Sequence, residues 1–229
     1  MAKKEKSPHI EFENKKYLRI PLKTHVVMRD DVLEDVVKKY ASERLQENDI
    51  LFVSEKIVAI TQGRAIPLKD IHPRPLAKFL SNHVTKTPAG IGLGMPETME
   101  MALRECGIPR ILYAAAMSAL TKVFGKKGVF YEIAGYRAQS IDGPTPNTLP
   151  PYNQYVVLGP DKPDAVAKEL GELMGCHVAI VDINDIDGVI LGISNNQLNR
   201  NKIKRILKDN PLGQDHEQTP MGIIREVNQ

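Results

Sequence analysis

The sequence predicts an α/β or α+β protein in which mixed sheets are covered by helices. The first supporting observation is that apolar runs of strand length alternate with segments of helical spacing along most of the chain. The second is composition: Trp is absent and aromatic residues are 5%, so aliphatic side chains must fill the interior. The third is length, because 229 residues can bury a sizeable core in one large domain or two small ones.

The first half of the chain is predicted from apolar spacing and helix-start residues. Asp30 or Asp31 is expected to cap the first helix, and Glu34, three residues after Asp31, strengthens that start. Residues 54–56 are predicted to form a corner between a strand and a short helix. The predicted elements are an extended segment at 17–27, a helix over 32–45, a strand at 50–53, a short helix at 57–60, helices at 75–84 and 96–106, an apolar segment at 108–124 and a strand at 129–133.

A proline-rich loop at 142–151 is predicted to divide the chain into two lobes, because proline cannot continue a helix or a central strand. Residues 1–8 are expected to form a flexible tail before a domain that spans 9–229. Pro163 is expected in the first turn of a helix. The predicted elements of the second half are a strand at 155–158, a helix at 163–174, strands at 178–181 and 189–193, a helix at 197–208 and a closing strand at 222–227.

Composition and charge argue against several classes of protein. The longest uncharged apolar run, residues 111–121, is shorter than the ~20 residues of a membrane span, and the basic N-terminus lacks the apolar core of a signal peptide. Cys106 and Cys176 lack a second Cys or His at metal-ligand spacing, which favours a reducing, cytoplasmic location. The net charge is +3, and the basic stretch at 200–208 is typical of a solvated helix face. Nucleic-acid binding would need a larger basic patch and is disfavoured.

A group of aspartates follows one of the predicted buried strands. Asp182, Asp185 and Asp187 lie at its exit, before Gly188. Carboxylates at a strand exit point out of the sheet edge, where Mg²⁺ or Mn²⁺ can bind oxygen ligands and keep several waters. Such a metal could bridge the phosphates of a nucleotide. The alternative is that these aspartates form Asx-turns at a surface corner. An EF-hand is disfavoured because its closing Glu is missing.

Two loops contain glycines of the kind that phosphate-binding segments use. Residues 89–95 contain three glycines but lack the last glycine of the dinucleotide-binding pattern, so a flexible loop is favoured. Residues 212–220 place Gly213 and Glu217 in a polar turn between a helix and the last strand. Backbone N–H groups near a glycine can approach phosphate oxygens. Taken alone, this turn is more often an ordinary connection.

Six segments resemble, in the same order, those of one known family. They are IPLKTHVVMRDDVLEDV (20–36), DILFVSEKIVAITQGR (49–64), GVFYEIAG (128–135), LGPDKPDAVAKEL (158–170), VAIVDI (178–183) and GQDHEQTP (213–220). The family is the gamma-glutamyl ligase that adds glutamate to the deazaflavin coenzyme F420-0, and its members use GTP and a divalent metal. The resemblance covers most of the chain except residues 88–120.

The resemblance implies roles for particular residues. It places a metal-binding aspartate at Asp182 and a Gly-Gln turn with Gln214 beside the metal. Asp185, at the same strand exit, and Asp142, the nearest substitute for a second family aspartate, complete the predicted metal ligands. The predicted nucleotide contacts are Ile20, Pro21, Leu22, Lys23, Glu55, Lys56, Arg137, Gly213 and Glu217.

Three departures from the family pattern bear on activity. Arg137 occupies the position of the second metal-binding aspartate, Ile60 that of a lysine near the phosphates, and Ile183 that of a hydroxyl residue. An arginine reverses the local charge, so it would repel one of two adjacent metals. Its guanidinium could instead bind phosphate directly.

The chemistry that the resemblance implies has two steps. A nucleoside triphosphate phosphorylates a substrate carboxylate, and the amine of glutamate then attacks the acyl phosphate while Mg²⁺ or Mn²⁺ neutralises phosphate charge. The resemblance also implies a homodimer. The alternative hypothesis is a non-catalytic nucleotide- or metabolite-binding protein on the same fold. A third hypothesis is a nucleic-acid-binding module that uses residues 200–208.

Overall fold

This computed structural model describes residues 6–84, 92–126, 128–145, 148–185, 188–213 and 216–227. Internal contacts divide the chain into two compact units. The first joins Met1–Gly63 to Pro160–Gln229, and the second is Arg64–Gly159. The second unit is therefore an insertion in the chain of the first. The proline-rich loop at 142–151, where the sequence predicts a divide, lies inside the second unit.

The described elements include both strands and helices, and the protein has the mixed α/β architecture that the sequence predicts. The strands are β1 (His9–Phe12), β2 (Lys15–Leu22), β3 (Ile50–Ser54), β4 (Ala65–Pro67), β5 (Tyr155–Val157), β6 (His177–Ile183), β7 (Gly188–Ile193) and β8 (Met221–Val227). The helices are α1 (Leu33–Ala41), α2 (Glu55–Thr61), α3 (Pro75–Ser81), α4 (Pro96–Cys106), α5 (Ile108–Val123), α6 (Val129–Ala134), α7 (Tyr136–Gln139), α8 (Pro163–Met174) and α9 (Arg200–Ile206).

The first unit contains a six-stranded mixed sheet in the order β1-β2-β8-β3-β6-β7. Strands β3 and β6 are parallel, and β8 runs antiparallel to both β2 and β3. Strands β2, β3 and β6 therefore end at the same side of the sheet, where β8 begins. Because the carboxyl ends of strands open a sheet to ligands, this direction of the strands decides where a site can form.

The centre of this sheet is buried on both faces. Leu51, Phe52 and Val53 in β3 have no exposed surface, which confirms the sequence prediction of a strand covered on both sides. Phe52 belongs to a cluster with Ile203 and Ile206 of α9 on one face. Successive side chains alternate between faces, so Leu51 and Val53 point to the other face.

The second unit is mainly helical. Helices α3 to α7 surround an apolar core, and β4 pairs with β5 in a two-stranded antiparallel sheet. The core includes Leu93, Met99, Ile111 and Ile141, which are almost completely buried. A short apolar segment that packs among these helices has no strand beside it to pair with, so it can bury its side chains as a helix instead.

The strand predicted at 129–133 is wrong, because these residues form the helix α6. Glycines with positive φ flank it: Gly128 has a φ of 85° and Gly135 also has a φ of 85°. Such residues start and end helices readily. Phe130, Tyr131 and Ile133 pack against the helical core instead of a sheet. A five-residue segment with four apolar or aromatic side chains and one Glu does not distinguish a strand from a helix, so tertiary packing decided this element.

The other predicted elements of the described residues are present: the helices at 96–106 and 163–174 have the predicted limits, and the ends of the others are shifted. Helix α1 ends at Ala41 rather than at residue 45. Asp31 does not cap it, since its carboxylate instead accepts the Met28 N–H at 2.7 Å and lies 3.0 Å from His25. The corner at 54–56 is confirmed, with Ser54 capping α2 by accepting the Lys56 N–H. Among the described helices, none combines the length and apolarity that a bilayer span requires.

Candidate functional site

Four segments of the first unit meet where β2, β3 and β6 end. We call this side the carboxyl edge and define it as residues 22–24, 54–56, 182–185, 213 and 216–220. Strand register aligns Leu22 with Met221, Met221 with Val53, and Ser54 with Val181. Two backbone bonds join the flanking loops: the Ser54 N–H donates to the Pro220 carbonyl at 2.8 Å, and the Thr24 N–H donates to the Gln218 carbonyl at 2.9 Å.

The corner between β3 and α2 brings two predicted nucleotide contacts to the carboxyl edge. Glu55 is buried, whereas Lys56 is exposed. Ser54 fixes this corner because its hydroxyl accepts the Lys56 N–H at 3.3 Å. An exposed ammonium at the end of a strand is placed to meet an anion from solvent, so Lys56 is the more accessible of the two.

The end of β2 contributes the other predicted nucleotide contacts of this edge. Pro21 and Lys23 are exposed, Ile20 is half-buried, and Leu22 is part of the core. Ile20 is aligned with Ile223 in β8, and Pro21 with Gly222. The alternation along the strand therefore leaves Lys23 and Pro21 as the accessible groups, while Leu22 holds the strand to the sheet.

The exit of β6 places its aspartates at the carboxyl edge, and Asp185 is tied to the neighbouring turn. The Lys6 ammonium donates to Asp185 Oδ1 at 2.8 Å and to the Asn210 carbonyl at 2.7 Å. The Asn210 side-chain amide donates to Asp185 Oδ1 at 3.2 Å and to the Gly213 carbonyl at 2.9 Å. Asp182 is half-buried one residue after Val181, the partner of Ser54. The β6 exit and the 210–213 turn are thus one connected structure.

The turn around Gly213 has a conformation that requires glycine. Its φ is +81°, and a Cβ at this position would lie 2.5 Å from Cδ of Glu217. The Glu217 carboxyl group therefore folds over Gly213, and the structure brings these two predicted residues together. The Thr219 hydroxyl donates to the Leu212 carbonyl and closes the turn from its other end. Gln214, a predicted metal ligand, and Asp187 lie outside the described residues.

Arg19 binds the end of α9 and Asp209, which directly precede this turn. Sequence analysis missed it. Its buried guanidinium donates to the Ile206 carbonyl at 3.1 Å, to the Ser7 carbonyl and to both oxygens of Asp209. Burial by itself would raise the pKa of the Asp209 carboxyl, but the hydrogen bond and charge of Arg19 outweigh it and lower that pKa. Tyr17 and Arg19 share one face of β2, so their period of two was the available signal for an inward-pointing charge.

The opposite side of the same sheet carries a second polar group, which we call the amino edge and define by Asp49, His177, Asn195 and Arg225. The Arg225 guanidinium donates to Asp49 Oδ1 at 2.9 Å and to Oδ2 at 2.7 Å. The Asn195 amide donates to His177 Nδ1 at 2.9 Å. Asp49, His177 and Asn195 line a cleft of about 430 Å³ whose walls also include Gly175. Asp49 is almost completely buried, so its ion pair is part of the fold.

Two predicted site residues belong to the second unit. Arg137 is exposed in α7. Asp142 forms an antiparallel bridge with Val157, in which its N–H donates at 2.8 Å and its carbonyl accepts at 2.9 Å. The other described candidates, such as Asp182 and Lys56, belong to the first unit.

The model of one family, described as F420-0:Gamma-glutamyl ligase, matches residues 21–195, which is more than half of the chain. The chain belongs to the F420-0:gamma-glutamyl ligase family. A relative named coenzyme F420:L-glutamate ligase, from Methanopyrus kandleri, is 28% identical over 173 residues, which is 74% of this chain and 58% of the relative. The chain therefore spans 58% of the length of that curated relative. The family match contains the β3–α2 corner and the β6 exit and ends before Gly213.

Membership in this ligase family implies a divalent metal, so the chain must offer side chains that can hold one. In the part of the chain that the structure describes, no group of three or more His, Cys, Asp or Glu residues is placed to hold a metal ion. Mg²⁺ needs fewer protein ligands than that, because it keeps several waters and binds substrate phosphates with one or two carboxylates. Asp182 at the end of β6 supplies a carboxylate of this kind. Asp185 would have to exchange its Lys6 partner to do so.

Proposed function

We propose that the chain is a GTP- and divalent-metal-dependent ligase that forms a gamma-glutamyl amide bond on a small carboxylate substrate. The observation that carries this proposal is the strand register of the first unit. It gathers Lys56, the β6 exit and the Gly213 turn at one edge of the sheet. The open carboxyl ends of strands are the usual place for nucleotides in α/β proteins, and the family membership supports the same reading.

The accessible groups of the carboxyl edge suit the parts of a bound triphosphate. Lys56 supplies a cation for a phosphate oxygen, and the Gly213 turn, whose own N–H donates to the Asn210 carbonyl at 3.1 Å, lies at the same edge. Pro21 and Lys23 are exposed beside them, where a base or ribose would lie. These residues orient the triphosphate, and the buried Leu22 and Ser54 hold the two supporting strands in place.

Asp182, together with Gln214 by family resemblance, would hold Mg²⁺ or Mn²⁺. A metal bound there supplies charge neutralisation for the phosphates. The transferred phosphoryl group leaves the nucleoside diphosphate and forms an acyl phosphate with the substrate carboxylate. The glutamate amine then displaces phosphate, loses a proton and completes the amide bond. Asp185 supports the turn through Lys6 and Asn210 in the described conformation.

Arg137 and Asp142 are proposed as further contacts of the substrates. An exposed guanidinium presents a fork of donors that matches phosphate or carboxylate oxygens, so Arg137 would bind an anion. It stands where relatives are expected to carry a metal-binding aspartate. Asp142 offers the nearest carboxylate in sequence, and its backbone is fixed by β5. The partners of the protein would thus be small molecules, a nucleotide and a second copy of the chain.

A second candidate function is a non-catalytic nucleotide- or metabolite-binding protein on this fold. The observation that favours it is the arginine at position 137, since a cation there would repel a second metal ion. Binding of nucleotide through Lys56 and the Gly213 turn would persist in this case. Formation of the amide bond with glutamate would not occur.

Incorporation of labelled glutamate in the presence of GTP and Mn²⁺ tests the proposal. Coenzyme F420-0 and a series of small carboxylates serve as acceptors, and binding of a fluorescent GTP analogue is measured in parallel. Asp182→Asn is expected to reduce incorporation by at least about 100-fold, as removal of a charged group at a metal site does. Asp35→Asn, on helix α1, is the matched control and should change neither measurement.

Three results distinguish the candidates. Incorporation that needs both GTP and metal supports the ligase. Tight nucleotide binding without incorporation on any acceptor supports the non-catalytic protein. If the wild-type chain binds no nucleotide at all, both candidates fail.

A further inference from the structure

Arg110, in the first turn of α5, has a fixed position within the second unit. Its Nε–H donates to the Ile133 carbonyl at 2.8 Å. A Cβ at Gly135 would lie 3.0 Å from Nη2 and 3.6 Å from Cζ of Arg110, so the guanidinium lies directly against the turn between α6 and α7. Gly135 has a φ of +85° and no side chain, which leaves the space that the guanidinium fills. The backbone of this turn therefore orients Arg110 before any ligand binds.

The Arg110 guanidinium keeps hydrogen-bond donors that the fold does not use. Arg110 is exposed, and among the described residues no carboxylate forms an ion pair with it. Glu105, an acidic residue near it in sequence, is engaged elsewhere, because the Arg64 guanidinium donates to its carboxylate at 2.5 Å. An arginine side chain has five N–H donors, and the bond to Ile133 uses one of them. The two Nη groups can therefore bind an oxyanion from solvent.

Arg137 brings a second guanidinium to the same part of the second unit. It lies on α7, two residues after Gly135, and it is exposed like Arg110. The half-buried thiol of Cys106, at the end of α4, is influenced by both side chains. Burial raises the pKa of this thiol, whereas the positive charges of Arg110 and Arg137 oppose the rise. Because charges are screened over about 10 Å in salt solution, both guanidiniums lie within roughly that distance of the thiol.

Two neighbouring guanidiniums favour one class of ligand. Their positive charges repel each other, and an oxyanion that binds both removes the repulsion. A guanidinium matches the oxygens of a carboxylate or a phosphate with two parallel N–H bonds, and such charge-assisted bonds are about twice as strong as neutral ones. A metal ion would be repelled here, and a nucleic acid would need a longer basic surface. The ligand that fits is a small molecule with a carboxylate or a phosphate group.

We infer that Arg110 and Arg137 together form a two-guanidinium site that binds an oxyanion of the ligase substrates. Arg110 is the arm that the turn at residues 133–135 holds in place, and Arg137 is the arm from α7. The oxyanion is a carboxylate of glutamate or a phosphate of the nucleotide, since the same donors suit both. The inference rests on the proposed function for the source of this oxyanion. Arg110 itself lies in the segment, residues 88–120, that the family resemblance does not cover.

Calorimetric titration of the full chain with L-glutamate, and separately with a non-hydrolysable GTP analogue, tests this site. Arg110→Gln is expected to weaken binding of at least one of the two by about tenfold or more, because charge-assisted hydrogen bonds are lost. Arg110→Lys keeps the charge but loses the fork of donors, so its affinity should fall between those of Arg110→Gln and the wild type. Arg205→Gln, at an exposed position of α9, is the matched control and should change neither affinity.

The pattern of these affinities identifies the oxyanion. A loss confined to glutamate assigns the site to a carboxylate, and a loss confined to the GTP analogue assigns it to a phosphate. Because Arg110 is exposed, the melting temperature of Arg110→Gln should stay close to that of the wild type. Unchanged affinity for both ligands in Arg110→Gln would overturn the inference.

The reactivity of Cys106 provides a second test, which does not need ligase activity. In a Cys176→Ala background, the rate at which a small thiol reagent labels Cys106 reports the thiolate fraction. Inorganic phosphate should slow this labelling by about threefold, because a bound anion cancels the charges of Arg110 and Arg137 that oppose the raised pKa of the thiol. Potassium chloride at equal ionic strength should have less effect, and Arg110→Gln should lose most of the response to phosphate.

The two tests separate this inference from the proposed function. If phosphate slows labelling of the wild type but no glutamate is incorporated, the two-guanidinium site stands and the ligase proposal fails. If glutamate is incorporated equally well by the wild type and Arg110→Gln, the ligase proposal stands and the inference fails. A labelling rate on which phosphate acts no more than chloride would also overturn the inference.

Discussion

The two edges of the six-stranded sheet carry similar polar residues but hold them in different ways. At the amino edge, the buried Asp49 carboxylate is satisfied by Arg225 and by the Gln46 N–H at 2.8 Å. At the carboxyl edge, the chain turns through left-handed conformations at Asn210 (φ 50°) and Gly213 (φ 81°). Loss of one partner from a buried ion pair destabilises a fold, whereas the open carboxyl ends of strands are the usual place for ligands in α/β proteins. We therefore propose that the amino edge contributes stability and that the carboxyl edge binds ligand.

Removal of the amino-edge guanidinium should have the largest effect on stability. Arg225→Met leaves the Asp49 carboxylate buried without its ion-pair partner, so we expect the free energy of unfolding to fall by about 3 kcal/mol. Urea denaturation measures the change. Nucleotide affinity of the folded protein should be unchanged, and the double variant Asp49→Leu/Arg225→Met should recover part of the loss. A loss below about 1 kcal/mol in the single variant would contradict a structural role for this pair.

A matched pair of glycine substitutions tests whether the two edges differ in their effect on nucleotide binding. Gly213→Ala and Gly175→Ala both force a Cβ into positive φ, which costs about 1 to 2 kcal/mol. A Cβ at Gly175 meets no atom within 4 Å, whereas one at Gly213 meets the Glu217 carboxyl group. We expect Gly213→Ala to weaken binding of a GTP analogue by about tenfold because the turn is displaced. Gly175→Ala should leave binding unchanged, and equal effects would remove the distinction between the edges.

The smallest expected effect is a pH dependence of the free energy of unfolding, which arises from the Arg19–Asp209 pair next to the carboxyl edge. Arg19 lowers the pKa of Asp209 from its ordinary value of 3.8 after overcoming the opposing effect of burial. A lowered folded-state pKa contributes stability that is present above the unfolded pKa and is lost as the pH falls through the folded pKa. Denaturation at a series of pH values below about 4 should therefore show a shallower loss in Asp209→Asn than in the wild type. Identical profiles would exclude a role for this carboxylate.

Much of the first unit follows from its sequence. The continuous apolar run of β3 and the Ser54 corner are local features, and the structure confirms both. In the second unit, helix α4 has the limits that the sequence predicts for it, at 96–106. The segment at 129–133 was mistaken for a strand because its apolar residues fit either period over so short a length. Arg19 was missed because its acceptors, Ser7, Ile206 and Asp209, come from distant parts of the chain.

The sequence by itself determined the family, the alternation of strands and helices, and the residue types available for chemistry. These depend on local pattern and on collinear order. Only the tertiary structure decided that Ser54, Val181 and Met221 align and that Lys6 and Asn210 hold Asp185. The physical reason is that strand pairing, ion pairing and burial join residues far apart in the chain, and no local pattern specifies which partner each residue will find.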